Sequence, residues 1–221
     1  MQQKKRGKFI VLEGIDGAGT TTVGKAVTAL LNEQINQPTE FTCEPSVGAI
    51  GVLARKYLKH QLVHPGEPAM KHLFIADRYE HLKNYIIPKL EEGCNVICDR
   101  FIWSTAAYQT VKLDKPVKQC TEDAVLLGTQ LTYSVNFNYR TPDATFLLHV
   151  SPEIARERRM SRGDQKAELY EEEKIQTYVA ASYLEIFQEL SKTSTAYLIN
   201  AHEKFDTVVN NIMAVLSPLL R

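Results

Sequence analysis

The stretch Phe9-Ile-Val-Leu-Glu-Gly-Ile-Asp-Gly-Ala-Gly-Thr-Thr-Thr22 limits the folds open to this chain more than any other. Phe9 to Leu12 is an apolar run with two β-branched residues, which predicts a short buried strand. It empties into Gly14, Gly17 and Gly19, then into a helical pattern from Thr20 with Val23, Val27, Leu30 and Leu31 on one face. Strand, glycine loop, helix is the order an anion-binding loop requires. Glycines let successive N–H groups face inward, and the helix start adds partial positive charge. Gly14, Gly19 and Thr21 fall where G-x-x-x-x-G-K-[ST] wants its glycines and hydroxyl, but Thr20 stands in the lysine's place.

Other readings of the stretch fit less well. A tight turn without a ligand needs no such ordered glycines. A dinucleotide fingerprint places Thr22 where a small Gly or Ala belongs. A shifted register, Gly19 to Gly24-Lys25, is followed by Ala26 rather than a hydroxyl, and it cuts Val23 out of the apolar face.

The 221 residues are 44% hydrophobic and 24% charged, which suits one domain spanning 1–221. Lys+Arg 26 against Asp+Glu 26 argues against binding nucleic acid through bulk charge. No apolar run approaches the roughly 18 residues of a membrane span, and the basic start, Met1 to Lys8, lacks an apolar signal core. A soluble, cytoplasmic protein is expected. Cys94 and Cys98 lack the C-x-x-C spacing of zinc or redox sites, and the six histidines are scattered. The four cysteines read as free thiols, and no protein-built metal cluster is expected.

Taken in order, a helix is predicted from about Thr20 to Ile35 and a strand at Thr39–Cys43. Ser46 can cap a helix reaching about His60, and a long helix runs from Glu67 to Glu92 with Pro88 marking a kink or an interruption. A strand at Asn95–Cys98 ends in Asp99-Arg100, and helices follow near 104–109 and 121–133. Ala144–Val150 is the next strand, with Ser151 and Pro152 opening a helix and a cation-rich run from Arg156 to Lys166. A helix near 171–191, a strand at Ala196–Ile199 and a helix near 205–220 complete the chain. Alternation of strands and helices predicts an α/β fold, a five-stranded parallel sheet covered by helices on both faces. Gly14, Glu44, Asp99 and Asn200 then share the carboxyl edge of the sheet, where such folds bind ligands.

Several segments resemble one family: Glu13-Gly-Ile-Asp-Gly-Ala-Gly19, Glu44-Pro45, Leu73-Phe-Ile-Ala-Asp-Arg78, Asp99-Arg-Phe, Ser104-Thr-Ala-Ala-Tyr-Gln109, Pro142-Asp143 and Val150-Ser-Pro-Glu153. They look like the thymidylate kinases, P-loop nucleoside monophosphate kinases, over about residues 8 to 215. The resemblance implies transfer of the γ-phosphoryl of MgATP to the 5′-phosphate of dTMP, giving dTDP, by a homodimer with an arginine-rich lid at about 153–170. By it, Gly14, Ile15, Asp16, Gly17, Ala18, Gly19, Thr20, Thr21 and Thr22 would wrap the ATP phosphates, with Asn200 and Ala201 bordering the adenine pocket. Asp16 would accept from the deoxyribose 3′-hydroxyl. Thr21 and Asp99 would serve Mg²⁺, and Arg100 the acceptor phosphate. Phe74 would stack on thymine, Arg78 would donate to a base carbonyl, and Thr105 and Gln109 would meet the base edge. Tyr108 would exclude a 2′-hydroxyl, and Glu44, Pro45 and Ser104 would complete the acceptor site.

A lysine at position 20 would add a charge-assisted bond to the β/γ-phosphates, worth roughly 1.5–3 kcal/mol, or about ten- to a hundred-fold in rate. The lid carries Arg156, Arg158, Arg159 and Arg162. Relatives with glycine at the position of Gly17 use a lid arginine instead, and Arg158 and Arg162 match best. Departures from the family pattern are Asp164-Gln-Lys-Ala-Glu168, added length between Val111 and Tyr139, and His149 in place of an acidic residue. Two rival readings remain: a kinase for another deoxynucleoside monophosphate, and a nucleotide-binding protein weakened in catalysis by Thr20. A GTP-dependent switch is disfavoured, because no N-K-x-D occurs.

Overall fold

The computed structural model describes residues 6–34, 38–133, 140–161 and 170–220. Strands β1 (Phe9–Glu13), β2 (Thr39–Cys43), β3 (Asn95–Asp99), β4 (Ala144–His149) and β5 (Ala196–Asn200) form one parallel sheet in the order β2-β3-β1-β4-β5. Every residue of β1 and β3 is buried, as central strands covered on both faces must be. The helices are α1 (Thr20–Gln34), α2 (Ala49–Leu58), α3 (Glu67–His81), α4 (Ile87–Glu91), α5 (Ile102–Gln109), α6 (Val117–Tyr133), α7 (Pro152–Ser161), α8 (Glu173–Leu190) and α9 (Phe205–Leu219).

Adjacent residues of β1 show which helices cover which face. Leu12 Cδ1 lies 3.1 Å from where a Cβ on Gly24 of α1 would sit. Glu13, one residue on, bonds to Ser104 of α5 and Tyr183 of α8. Strand side chains alternate, so α1 lies on one face and α5 with α8 on the other. Helix α9 packs beside α1, and α6 packs against α5 and α8.

Pro88 does interrupt the long helix, through one π-helical turn at Leu82–Ile86. The Ile87 N–H reaches back five residues to the Leu82 carbonyl, which takes up the offset ahead of the proline. Ser46 is not the expected cap, because Gly48 precedes α2 without a side-chain cap bond. The Ser46 hydroxyl instead donates to Asp77 Oδ1 (2.5 Å) and accepts from the Gly48 N–H (3.0 Å). Ser151 does cap α7, accepting from the Ile154 N–H at 3.4 Å. Helices α5 and α6 begin earlier than expected, at Ile102 and Val117. Expected residues Ile35 and 134–139 lie outside the described residues.

Glu13 staples the carboxyl edge together. Oε1 accepts from the Phe101 and Trp103 N–H groups (3.0 Å each), and Oε2 accepts from Ser104 Oγ (2.5 Å) and Tyr183 OH (3.2 Å). Burial, only partly opposed by the Ser104 bonds and by Arg100 and Arg78, pushes its carboxyl from 4.5 up to about 6. The folded chain therefore binds this proton more tightly than the unfolded chain. The corresponding stability is complete below pH 4.5 and lost as pH rises through 6, about 2 kcal/mol in all. In Glu13→Gln the amide oxygen keeps the two N–H bonds, and the hydroxyls of Ser104 and Tyr183 can turn to accept. Thermal melts of the two proteins should show the variant gaining on the wild type between pH 4.5 and 7. A parallel pair of stability curves would refute the shift.

Candidate active site

The loop between β1 and α1 is shaped by what sits beneath it. Gly17 holds φ +92°, and a Cβ there would come 2.3 Å from the Ala155 carbonyl oxygen, so α7 rests directly on the loop. Thr20 is buried (6% exposed) at the first position of α1, with Cγ2 under Gly14. Ile15 and Ala18 are buried as well, and the Ala18 N–H closes a turn onto the Ile15 carbonyl (3.0 Å). Thr22 is exposed on the first turn. The start of α1, whose first N–H groups have no partner within the helix, therefore remains the anion-attracting element.

Thr21 and Asp99 meet at the base of the loop, where the threonine hydroxyl donates to Asp99 Oδ2. Asp99 is 4% exposed, and its Oδ1 has no hydrogen-bond partner among the described residues. Two oxygen donors with one unengaged carboxylate oxygen are the chemistry that suits a hard divalent cation, so Thr21 and Asp99 fit Mg²⁺.

Asp16 and Arg100 form the centre. Arg100 Nη2 donates to Asp16 Oδ1 at 2.5 Å, and Nη1 donates to the Gly14 carbonyl at 3.1 Å. Asp16 Oδ2 accepts from Tyr108 OH (2.9 Å) and from Gln176 Nε2 (2.8 Å). Burial raises the Tyr108 phenol well above its ordinary range, which keeps its proton available for that bond. Arg100 is held at φ 71°, a left-handed conformation that costs a non-glycine residue roughly 1–3 kcal/mol. Its own N–H is tied to the Leu12 carbonyl (2.8 Å), so the strain aims the guanidinium across the sheet edge toward the loop.

A cavity of about 320 Å³ opens beside this pair. It collects Asp16, Thr21, Glu44, Pro45, Phe74, Arg78, Asp99, Arg100, Ser104, Thr105, Tyr108 and Gln109, all positions that the family resemblance implies. The structure also gives several of them other work. Arg78 is 2% exposed, donating through Nε to Glu44 (2.8 Å) and through Nη2 to the Phe101 carbonyl (2.6 Å) and Thr105 Oγ1 (3.0 Å). The residue expected to read a base thus ties β2 to α5, and Glu44 is its partner rather than an open acceptor. Ser104 is likewise engaged, with Glu13 and with Tyr183 OH (2.7 Å). Phe74 is partly buried against the core, and Gln109 keeps a buried Oε1 that has no partner among the described residues. Sequence reasoning missed Arg55, whose guanidinium donates to the Pro45 carbonyl, and Tyr170, which roofs the cavity from beyond α7. It also missed the proximity of Glu44, His81 and Cys98, each with a ligating atom within 4.8 Å of the others. Glu44 is already paired with Arg78, and His81 Nε2 with Thr42 Oγ1 (2.7 Å).

The arginines of α7 do not divide their labour as expected. Arg158 Nη2 donates to the Ala201 carbonyl at 2.8 Å, beside Asn200 at the end of β5. Arg159, buried, reaches the loop, donating to the Asp16 carbonyl and to the Glu171 carbonyl (3.4 Å). Arg156 pairs with Glu173 at 3.3 Å, and Arg162 lies outside the described residues, as does 164–168. Lys25 stands 5.9 Å over the Phe41 ring, turned from the loop. His149 packs edge-on against His202 (5.7 Å), and burial, then His202, lowers its pKa. Asn200 Oδ1 accepts from the His202 N–H at 3.1 Å.

Comparison with known proteins agrees with this geometry. A family model described as thymidylate kinase matches residues 12–212. A thymidylate kinase of Leptospira borgpetersenii is 35% identical over 158 residues, 72% of this chain and 71% of that one. One from Ligilactobacillus salivarius is 30% identical over 214 residues, covering 96% and 98%. One from Rickettsia rickettsii is 36% identical over 167 residues, covering 73% and 74%. A match of that extent, on a parallel sheet whose carboxyl edge carries the glycine loop and the Asp99-Arg100 pair, makes this chain a member of the thymidylate kinase family.

Proposed function

We propose that the chain transfers the γ-phosphoryl group of ATP to the 5′-phosphate of dTMP, giving dTDP. The observation that carries this reading is the 320 Å³ cavity that abuts the glycine loop and is crossed by the Asp16–Arg100 pair. Both nucleotides are anions meeting phosphate to phosphate, so the protein's task is positioning and charge neutralisation. Arg100 would hold the acceptor phosphate while keeping its bonds to Gly14 and Asp16. The Asp16 carboxylate has about four lone-pair sites, three of them taken by Arg100, Tyr108 and Gln176, which leaves room for the sugar 3′-hydroxyl. Tyr108 would lie beneath the sugar, Phe74 against the base face, and Thr105 and Gln109 along its edge. Thr21 and Asp99 would hold Mg²⁺, which when bound neutralises charge on the β/γ-phosphates. Asn200, Ala201 and Arg158 would border the adenine. A cytoplasmic homodimer of one kinase domain completes the reading; no helix of the described residues is long and apolar enough to cross a membrane.

The charge that Thr20 does not supply falls to arginines from other elements. Arg100 and Arg159 each touch the loop through a main-chain carbonyl, Gly14 and Asp16 respectively. That is a longer reach than a lysine inside the loop would have, and turnover slower than that of a lysine-bearing loop follows.

A coupled ADP-release assay with dTMP, dUMP, dCMP and dGMP tests the function directly. The highest kcat/KM is expected for dTMP; ATP binding without ADP release on any acceptor would instead mean a non-catalytic nucleotide binder. Thr20→Lys should raise kcat about tenfold while KM for dTMP stays within about twofold. An unchanged kcat would mean that the arginines already neutralise the triphosphate. Asp99→Asn should raise the Mg²⁺ concentration needed for half-maximal rate by about 10- to 100-fold, read from a magnesium titration.

A further inference from the structure

Gln176 sits in the first turn of α8, wholly buried, on the same helix face as Val179 and Tyr183. A polar amide on an apolar face is costly unless each of its groups is paired. Here each is. Oε1 accepts from the Asp16 N–H at 3.1 Å, while Nε2 donates to Asp16 Oδ2 at 2.8 Å and to the Tyr170 carbonyl at 2.7 Å. Asp16 thus presents a donor and an acceptor to one side chain, and the neutral carboxamide of Gln176 offers the complement to both.

The contact joins the two halves of the site. Asp16 belongs to the glycine loop. Tyr170 reaches the acceptor cavity, where its hydroxyl accepts from Gln109 Nε2 (3.3 Å) and donates to Glu67 (2.9 Å). Arg159 makes a parallel tie between the Asp16 and Glu171 carbonyls. The chain at Tyr170–Glu171 is therefore pinned to one loop residue by two side chains from two helices.

We infer that Gln176 is a positioning residue: it sets the rotamer of the Asp16 carboxylate and registers Tyr170 against the phosphate loop. It touches neither nucleotide and acts through Asp16. This rests on the kinase reading, because its measure is dTDP formation.

Two variants separate positioning from bulk. Gln176→Met keeps the volume and removes all three bonds. Its kcat should fall about 10- to 100-fold at every pH, since small misplacement of a reacting constellation has effects of that size. Gln176→Glu keeps the acceptor for the Asp16 N–H, but its second oxygen faces two acceptors, Asp16 Oδ2 and the Tyr170 carbonyl. Only the protonated form of the introduced carboxyl can donate there; the ionised form repels Asp16. The ratio of its kcat to that of the wild type should therefore be near one at about pH 5.5 and drop about tenfold or more by about pH 8.5. Arg100, Arg159 and Tyr108 pack on the same Asp16. The two cations favour ionisation and so set where the drop begins, not its direction. Melting curves at each pH confine the kinetics to temperatures where every variant is folded. Variants with kcat within about twofold of wild type throughout, or a pH-independent ratio for Gln176→Glu, overturn the inference while the kinase reading stands. A wild-type chain inactive on dTMP overturns both.

Discussion

The site depends first on a carboxylate buried where the sheet ends. Glu13 accepts from the Phe101 N–H in the turn after β3, from the Trp103 N–H in the first turn of α5, and from hydroxyls of α5 and α8. Those bonds, with the Arg100 N–H on the Leu12 carbonyl, fix the turn after β3 beside the loop after β1. Parallel pairing alone sets strand register; it does not set how the chain leaves a strand. Glu13 does that. The left-handed backbone at Arg100 persists because these contacts on both sides over-determine it, and the guanidinium is aimed as a result.

From that anchor the site is built outward by charge. A lysine-bearing glycine loop carries its own cation on the element that wraps the phosphates. In this chain position 20 is a buried threonine, and the cations come from the end of β3 and from α7. The absence of a side chain at Gly17 is what lets α7 lie on the loop closely enough for Arg159 to bond Asp16. The two features belong together: a larger residue at 17 would lift the helix that delivers the charge.

What was legible in the sequence was whatever local chemistry dictates. The β1-loop-α1 order, the five strands and the Pro88 interruption follow from apolar runs, glycines and a missing N–H, and all are present. The other positions converging on the cavity were named through the family resemblance rather than by local chemistry, and the structure places them at strand ends and on α1, α3 and α5. Partnership was not legible. Ser46 is a good cap by type, yet Asp77, 31 residues away, claims its hydroxyl. Arg158 and Arg159 are neighbours of identical chemistry, and only the packing of α7 decides which meets the loop and which meets Ala201. Arg78 carries the expected motif, but burial commits its Nε and Nη2 to Glu44, Phe101 and Thr105. Gln176 did leave a trace, a polar amide three residues before Val179 and seven before Tyr183 on a buried stripe.

The distribution of charge explains why so many side chains converge on Asp16. A cation on a distant element neutralises a phosphate only if the separation between the elements is held to a fraction of an ångström, since charge-assisted bonds weaken quickly with distance and angle. Asp16 is the one loop residue whose carboxylate, N–H and carbonyl are all engaged, by Arg100, Tyr108, Gln176 and Arg159. These come from the end of β3, from α5, from α8 and from α7, the elements that deliver cations to the loop or frame the acceptor cavity. Moving the charge off the loop makes the loop's position relative to its neighbours the controlling quantity. Asp16 is where that position is set.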